Sequence, residues 1–356
     1  MKAIKILSQG HAAVVSDAEI PTLPSDEWIL VKTVAVALNP TDWKHFNYPM
    51  GAAQPTSGCD FAGIVEQVGS AVPRPLKKGN RVWGFTHGGN QTRPYTGAFG
   101  EYLVTKGGVV GRIPEGVSFE EAATAGVGIL TVGQGLYQRM GLPWPDQPLR
   151  AEEKMPILIW GGSSATGALG IQFAKLSGFE VITTCSPRNF DYVKSLGADT
   201  VFDSRSPTVG ADIRAHTNNK LYYAWDTIGE HGSPAACAAA LASSAPAGQK
   251  LHYGTILMGP GMKPPRDDVE FTFTLGYTAA GEAFEIAGMK WEAKPQDYEF
   301  TVKWTELAEK LWMERKWRPH RQDVREGGLE GVLNGLEDMK SGKVSGVKLV
   351  YRVADP

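Results

Sequence analysis

No stretch of this 356-residue chain approaches the ~20 consecutive apolar residues that a membrane-spanning helix needs. The start is strand-like, Lys2-Ala3-Ile4-Lys5-Ile6-Leu7, with no basic region leading into an apolar core, so no signal peptide is expected. Cysteine is scarce. Cys59, Cys185 and Cys237 are three and cannot pair completely, which excludes a disulfide scaffold and points to a reducing, cytoplasmic setting. Charge of one sign is missing as well. Lys and Arg number 36 against 38 Asp and Glu, a net of −2, so there is no broad basic field for nucleic acid or anionic lipid. Internal repeats and low-complexity tracts are absent too. What remains is a composition of 42% apolar and 21% charged residues, that of a globular chain with length for two domains. Glycine, at 42 residues, suits many tight strand–helix turns.

The first 120 residues read mainly as β-structure. Trp28-Ile29-Leu30-Val31-Lys32-Thr33-Val34-Ala35-Val36 is rich in β-branched residues. Gly63-Ile64-Val65-Glu66-Gln67-Val68-Gly69, Arg81-Val82-Trp83-Gly84-Phe85 and Phe99-Gly100-Glu101-Tyr102-Leu103-Val104 follow, with Gly and Pro between them. Short strands so punctuated predict a barrel-like β domain. Ser118-Phe119-Glu120-Glu121 opens a helix with a serine cap and a carboxylate three residues on, and an Ala/Gly-rich helix is expected to run toward Tyr137. Residues 143–154, with three prolines, read as a surface loop.

From Pro156 strands and helices alternate. Strands are expected at 156–160, 180–185, 200–203, 221–226 and 251–257, with helices between them. Such alternation means a parallel sheet covered by helices on both faces. After the fifth strand come Gly259-Pro260-Gly261 and Pro264-Pro265, which suit an unpaired edge and a monomer rather than a continued sheet. A long helix over 303–316 and a strand over 347–351 close the chain, the strand returning to the first β domain.

The central motif is Gly161-Gly162-Ser163-Ser164-Ala165-Thr166-Gly167-Ala168-Leu169-Gly170, between a strand and a helix. Glycine lets backbone approach a pyrophosphate, and the helix start supplies unpaired N–H donors. It lacks the strict G-x-G-x-x-G spacing, and alone could be a close packing contact; at the first turn of an α/β alternation it favours dinucleotide binding. The second strand ends in Cys185-Ser186-Pro187-Arg188-Asn189, without the Asp or Glu that holds ribose hydroxyls in NAD sites. Ser186 and Arg188 suit a 2′-phosphate instead, hence NADPH, against the alternative of a solvated loop arginine.

Asn39-Pro40-Thr41-Asp42-Trp43-Lys44-His45 and Gly58-Cys59-Asp60-Phe61-Ala62-Gly63-Ile64-Val65, with their spacing to the glycine-rich turn, resemble the medium-chain dehydrogenase/reductase superfamily over essentially the whole chain. That resemblance implies a GroES-like β-barrel catalytic domain, 1–125 and 285–356, joined to a doubly wound Rossmann domain, 126–284. Zinc alcohol dehydrogenases carry a cysteine ligand in the first motif and a His-Glu pair in the second. Here Pro40/Thr41 and Cys59-Asp60 stand there, and no Cys-x2-Cys-x2-Cys cluster exists, so no metal is expected. Asn39–His45 together with Gly84-Phe85-Thr86-His87, Cys185–Asp191 and Leu275-Gly276-Tyr277-Thr278 is similar to the fungal trans-acting enoyl reductases of polyketide biosynthesis, of the lovastatin-pathway type. Ser204 departs from that type, which has tyrosine there.

The resemblance implies an NADPH-dependent reductase of an enoyl thioester carried by the acyl-carrier domain of a polyketide synthase or a synthase–peptide synthetase hybrid. Cofactor contacts would fall on Asp42, Trp43, Lys44, His45, Ser163, Ser164, Ala165, Thr166, Ser186, Pro187, Arg188, Asn189, Ser204, Thr255, Ile256, Val344 and Ser345. Acyl contacts would fall on Thr131, Val132, Gly133, Gln134, Gly135, Leu136, Tyr137, Gln138, Leu275, Gly276, Tyr277, Thr278 and Ala279. Without a metal, negative charge on the thioester oxygen needs N–H, O–H or ammonium donors, which Gly276, Thr131 and Lys44 offer. Tyr48 is another possible proton donor, or simply a loop aromatic. Two rivals stay open: a free-standing quinone or enone reductase, and a non-catalytic nucleotide-binding scaffold. Arg315, Lys316, Arg318 and Arg321 are a candidate carrier-docking patch, or a solvated helix end.

Overall fold

The computed structural model describes residues 1–49, 53–257 and 263–356. They form two compact units, Met1–Leu130 with Tyr277–Pro356, and Thr131–Gly276.

The first unit opens with the hairpin β1 (Ala3–Ser8) and β2 (His11–Val15), then β3 (Trp28–Ala37) and a short helix α1 (Pro40–Phe46). Strands β4 (Asp60–Val68), β5 (Arg81–Phe85), β6 (Tyr102–Lys106) and β7 (Val110–Arg112) follow, then α2 (Phe119–Ala122) and α3 (Gly126–Val132), whose last two residues belong to the second unit. Helix α1 is not read from the sequence in this mainly β region. Asn39 caps it in extended conformation and Pro40 takes its first position, where a missing N–H costs nothing. Ser118 caps α2 as expected, its hydroxyl accepting Glu121 N–H at 3.1 Å. The expected helix to Tyr137 is not continuous: α2 ends at Ala122, α3 follows, and Gly133–Arg139 is π-helical.

The second unit alternates β8 (Pro156–Trp160), α4 (Ala165–Leu176), β9 (Glu180–Cys185), α5 (Phe190–Ser195), β10 (Thr200–Asp203), α6 (Val209–His216), β11 (Tyr223–Asp226), α7 (Ser233–Ala240), β12 (Leu251–Thr255) and β13 (Val269–Phe273). All pair in parallel, in the order β10-β9-β8-β11-β12-β13. Read as strands one to six this is 3-2-1-4-5-6, the dinucleotide-fold order, whose chain reversal lies between β8 and β11. Leu158, Ile182, Ala224 and Tyr253 from the sheet pack against Val209 and Ile213 of α6 and Cys237 and Ala240 of α7. The sixth strand corrects the expectation that the sheet ends at the fifth. Pro264 and Pro265 precede β13, so they remove no ladder donor from it, and its sequence Val-Glu-Phe-Thr-Phe favours extension. Gly259, Pro260 and Gly261 lie outside the described residues.

The chain then re-enters the first unit. The hairpin β14 (Phe284–Ile286) and β15 (Met289–Trp291) leads to α8 (Pro295–Met313), β16 (Gln322–Arg325), α9 (Gly328–Lys340) and β17 (Lys348–Arg352). Helix α8 starts at Pro295, earlier than the 303 read from sequence, with proline and Asp297 in its first turn. The seven-stranded sheet runs β16-β17-β3-β4-β5-β7 with β6 also on β3, and β17 lies antiparallel to β3. Unit boundaries differ from the sequence-based 125/126 and 284/285. Val127 N–H donates to Asp60 at 2.5 Å, and the Tyr277 hydroxyl is 2.5 Å from Thr41, so both ends belong to the first unit. Among the described residues no helix is long and apolar enough to cross a membrane.

Candidate active site

In the second unit the cofactor candidates gather at the carboxyl ends of the parallel strands. Gly161, at the end of β8, has φ +81, and a Cβ there would come within 2.7 Å of Ile228. Ser164 caps α4 and accepts Gly167 N–H at 3.0 Å. That leaves the Ala165 and Thr166 N–H groups of the first turn pointing out of the helix start. Residues 163–166 are half-buried, so an anion can reach them. Beyond β9, Pro187–Asn189 forms one 3-10 turn that exposes Arg188 and buries Asn189. Ser204 N–H donates to Cys185 O at 3.1 Å, which sets Ser204 beside that turn. Thr255 and Ile256 follow β12; Thr255 is buried and Ile256 half-buried. A strand end with no acid, an exposed arginine and an open helix start fits a nicotinamide dinucleotide.

Of the acyl candidates, Thr131 and Gly276 are neighbours: a Cβ on Gly276 would stand 3.5 Å from Thr131 Oγ1. The π-helical turn after Thr131 is the wall of this corner. A Cβ at Gly135 would sit 2.7 Å from the Trp225 ring, so glycine is required there. Tyr137 turns inward, its hydroxyl 3.1 Å from Phe173 O and 2.9 Å from Ser177. Val132, Gly133, Gln134, Gly135, Leu136 and Tyr137 are all buried, while Gln138, Leu275 and Gly276 are half-buried. Widened turns of this kind recur at functional sites.

In the first unit α1 carries Trp43 and Lys44 half-buried, with the Lys44 ammonium 5.7 Å from the Trp43 ring centre. Asp42 and His45, also expected at the cofactor, are buried, at 1% and 4% exposure. They alternate with Trp43 and Lys44 around a helix, so one pair must face inward. Asp42 Oδ2 accepts Asn39 N–H at 2.7 Å, while Oδ1 has no nitrogen or oxygen donor. Burial first, then the neighbouring Asp60 charge, raises the Asp42 carboxyl to about 7 against the lowering effect of the Asn39 N–H. His45 Nδ1 is 2.7 Å from Thr41 O, and burial lowers its pKa.

Three of the motifs converge on Tyr277. Its hydroxyl is 2.5 Å from Thr41 Oγ1 and 3.8 Å from Cys59 Sγ, and its ring stacks on His87 at 4.0 Å. Tyr277, Thr278 and Ala279 are buried. Beneath them Asp60 forms a buried ion pair with Lys348 and accepts Asn39 Nδ2–H at 3.0 Å. Val344 and Ser345 lie in the turn before β17, half-buried and exposed. The donor set does not suit zinc. Asp60 is engaged by Lys348, and among the described residues no three His, Cys, Asp or Glu side chains are grouped to hold a metal ion.

Sequence reasoning missed Asp226 and Thr227. Asp226 is fully buried and accepts Ile228 N–H, Gly229 N–H, Ser233 Oγ–H and Tyr253 Oη–H at 2.6–3.0 Å. An acid ending an apolar strand before Thr-Ile-Gly is the signal that could have found this turn.

Two family models match, the alcohol dehydrogenase GroES-like domain over residues 25–115 and the zinc-binding dehydrogenase domain over 165–279. The trans-enoyl reductase ACTTS2 of Alternaria alternata is 45% identical over 99% of this chain and 98% of its own. The trans-enoyl reductase TOXD of Cochliobolus carbonum is 50% identical over 80% of this chain and 91% of its own. Among solved structures, the CurK enoyl reductase aligns with a TM-score of 0.74 at 20% identity, covering 99% of this chain and 98% of that one, a likeness of fold. The chain therefore belongs to the trans-enoyl reductase family, on the medium-chain dehydrogenase/reductase fold.

Proposed function

We propose that this protein reduces the α,β-unsaturated thioester of a polyketide held on the acyl-carrier domain of a separate synthase, using NADPH, in a reducing cytoplasm. The near-full-length likeness to ACTTS2, a trans-enoyl reductase, carries the reading. The cofactor's part is hydride donation to the alkene β-carbon. The protein's part is orientation and charge stabilisation. The Thr131 hydroxyl and the N–H of the neighbouring residue Gly276 are assigned to the thioester oxygen as negative charge develops on it. Lys44 is assigned a supporting ammonium. NADPH is preferred over NADH because the β9 turn offers Arg188 and Ser186 and no carboxylate.

The test is NADPH oxidation with a carrier-bound enoyl thioester, followed by product analysis of the cognate synthase with and without this protein. Saturated product appearing only with the protein is the expected result. Turnover of simple quinones or enones with none of the thioester would replace this reading by a free-standing reductase. Tight NADPH binding with no acceptor at all would make it a scaffold.

A further inference from the structure

Two strand-end turns of the second unit are joined by a hydrogen-bond chain whose direction is fixed. Thr227 follows β11 and is 6% exposed. Its hydroxyl donates to Trp160 O, the last residue of β8, at 2.7 Å. A hydroxyl has one proton, so toward Ser164 Oγ, 3.0 Å away, Thr227 Oγ1 acts as acceptor. Ser164 must therefore donate to Thr227, and its own lone pair receives Gly167 N–H at 3.0 Å. The sequence of bonds reads Gly167 N–H to Ser164, Ser164 O–H to Thr227, Thr227 O–H to Trp160 O.

Thr227 is itself held still. Its N–H also reaches Trp160 O, at 3.2 Å. Asp226, one residue earlier, binds the next two backbone N–H groups and is braced by Ser233 and Tyr253. A buried carboxylate with four donors is a rigid post. Gly161 has no room to adjust, because a Cβ there would stand 2.9 Å from Thr227 Oγ1. With its proton given to Thr227, Ser164 keeps no donor for an anion, and the anion-binding capacity of the turn falls to Ser163 and the Ala165 and Thr166 N–H groups.

We propose that Thr227 is a positioning residue for dinucleotide binding: its hydroxyl fixes Ser164 and so aims the start of α4 at the cofactor pyrophosphate. The inference rests on the nicotinamide-cofactor reading above, and deepens it by naming a residue that acts on the pyrophosphate without touching it.

The experiment titrates NADPH and 2′-AMP, which lacks a pyrophosphate, into the full chain by intrinsic fluorescence, with no acyl acceptor present. Thr227→Val is expected to weaken NADPH up to about tenfold, the size of one neutral hydrogen bond, here the one that holds Ser164. Affinity for 2′-AMP should stay as in the wild type, and Thr227→Ser should restore NADPH binding. Ser164→Ala removes the same link from the other end and serves if Thr227→Val folds poorly. The two together should cost less than the sum of their separate effects. Wild-type NADPH affinity in Thr227→Val, or equal weakening of NADPH and 2′-AMP, overturns the proposal. Failure of the wild-type chain to bind NADPH is a different outcome, and removes the cofactor reading beneath it as well.

Discussion

Lys348 Nζ donates to Asn39 Oδ1 at 2.9 Å, joining residues 309 apart in sequence. The same ammonium pairs with Asp60, and both charged groups are buried, at 3% and 0% side-chain exposure. Asn39 is a hub: its backbone N–H donates to Asp42, its side-chain Nδ2 donates to Asp60 and its side-chain Oδ1 accepts from Lys348. The entry to α1, and hence the direction in which Lys44 leaves the helix, depends on a residue of the last strand. Lys348→Met is expected to cost about 3–5 kcal/mol, because it leaves Asp60 buried and uncompensated. Urea unfolding checks this, and pairing the change with Asp60→Leu should recover part of the loss. An unchanged midpoint would mean the pair contributes nothing.

Asp42 should give stability a defined pH dependence. Its carboxyl titrates near 7 in the folded chain, against an ordinary value near 3.8. Between those values the folded state holds a proton that the unfolded state has lost, so stability falls as pH rises, by up to ~1.4 kcal/mol per unit, and levels off above the folded pKa. Asp42→Asn cannot ionise. Its stability relative to wild type is expected to grow from pH 4 to 7 and then stay constant. The subtraction cancels the opposing slopes of His45 and His87, whose pKa values burial lowers. A difference flat across that window would show that Asp42 is charged when folded.

Arg188→Ala should weaken NADPH roughly ten- to hundredfold, as expected for a lost bond to a charged group. NADH, with no 2′-phosphate, should be little affected. Equal losses for both cofactors in direct titration would show that the exposed guanidinium does not read the phosphate.

For Lys44→Ala the expectation is slower turnover with the fold and most NADPH affinity kept. Single-turnover rates at saturating cofactor give the first, titration the second. Abolished binding would make Lys44 a cofactor anchor and leave the oxyanion to Thr131 and Gly276.

Within the candidate docking patch Arg315, Lys316, Arg318 and Arg321, two arginines also hold backbone. Arg315 donates to Glu115 O at 2.7 Å, and Arg321 to Gly346 O at 3.1 Å, beside Val344 and Ser345. Reversing either would disturb backbone as well as charge. Lys316→Glu is the better variant, and should lower kcat/KM for the carrier-bound thioester several-fold while leaving a short free thioester unaffected. Equal kcat/KM for the two substrates in the wild type would end the recruitment idea; a carrier preference untouched by Lys316→Glu would move the docking surface elsewhere.

Strands β8, β9 and β10 were legible to the residue because each is a short β-branched run bounded by turns, β8 and β9 largely buried and β10 half-buried at the edge. The glycine-rich turn and the arginine after β9 were legible for the same reason: each sits at a fixed offset from a visible strand. Helix α1 was hidden inside a β-rich stretch, although Asn39-Pro40 carries its cap. Strand β13 was masked by the prolines ahead of it. The π-helical turn at Gly133 has no sequence signature, and the packing of Gly135 on Trp225, ninety residues on, joins segments that periodicity does not relate. The interior placement of Asp42 and the Asn39–Asp60–Lys348 contacts depend on pairings across the whole chain, which periodicity does not encode.

Strand β17 lies between β16 and β3, with Val350 opposite Ala37 and Arg352 opposite Ala35. In a chain made from its amino terminus this sets a birth order. Residues 131–276 have every strand of their sheet in hand well before residue 348 leaves the ribosome. At ~5–20 residues per second the interval is on the order of several seconds. Through it β3 has β4 and β6 but not β17, and Asp60 and Asn39 wait for an ammonium not yet synthesised. The nucleotide-binding half can mature first, while the half that carries Lys44 is sealed only by the last lysine of the chain.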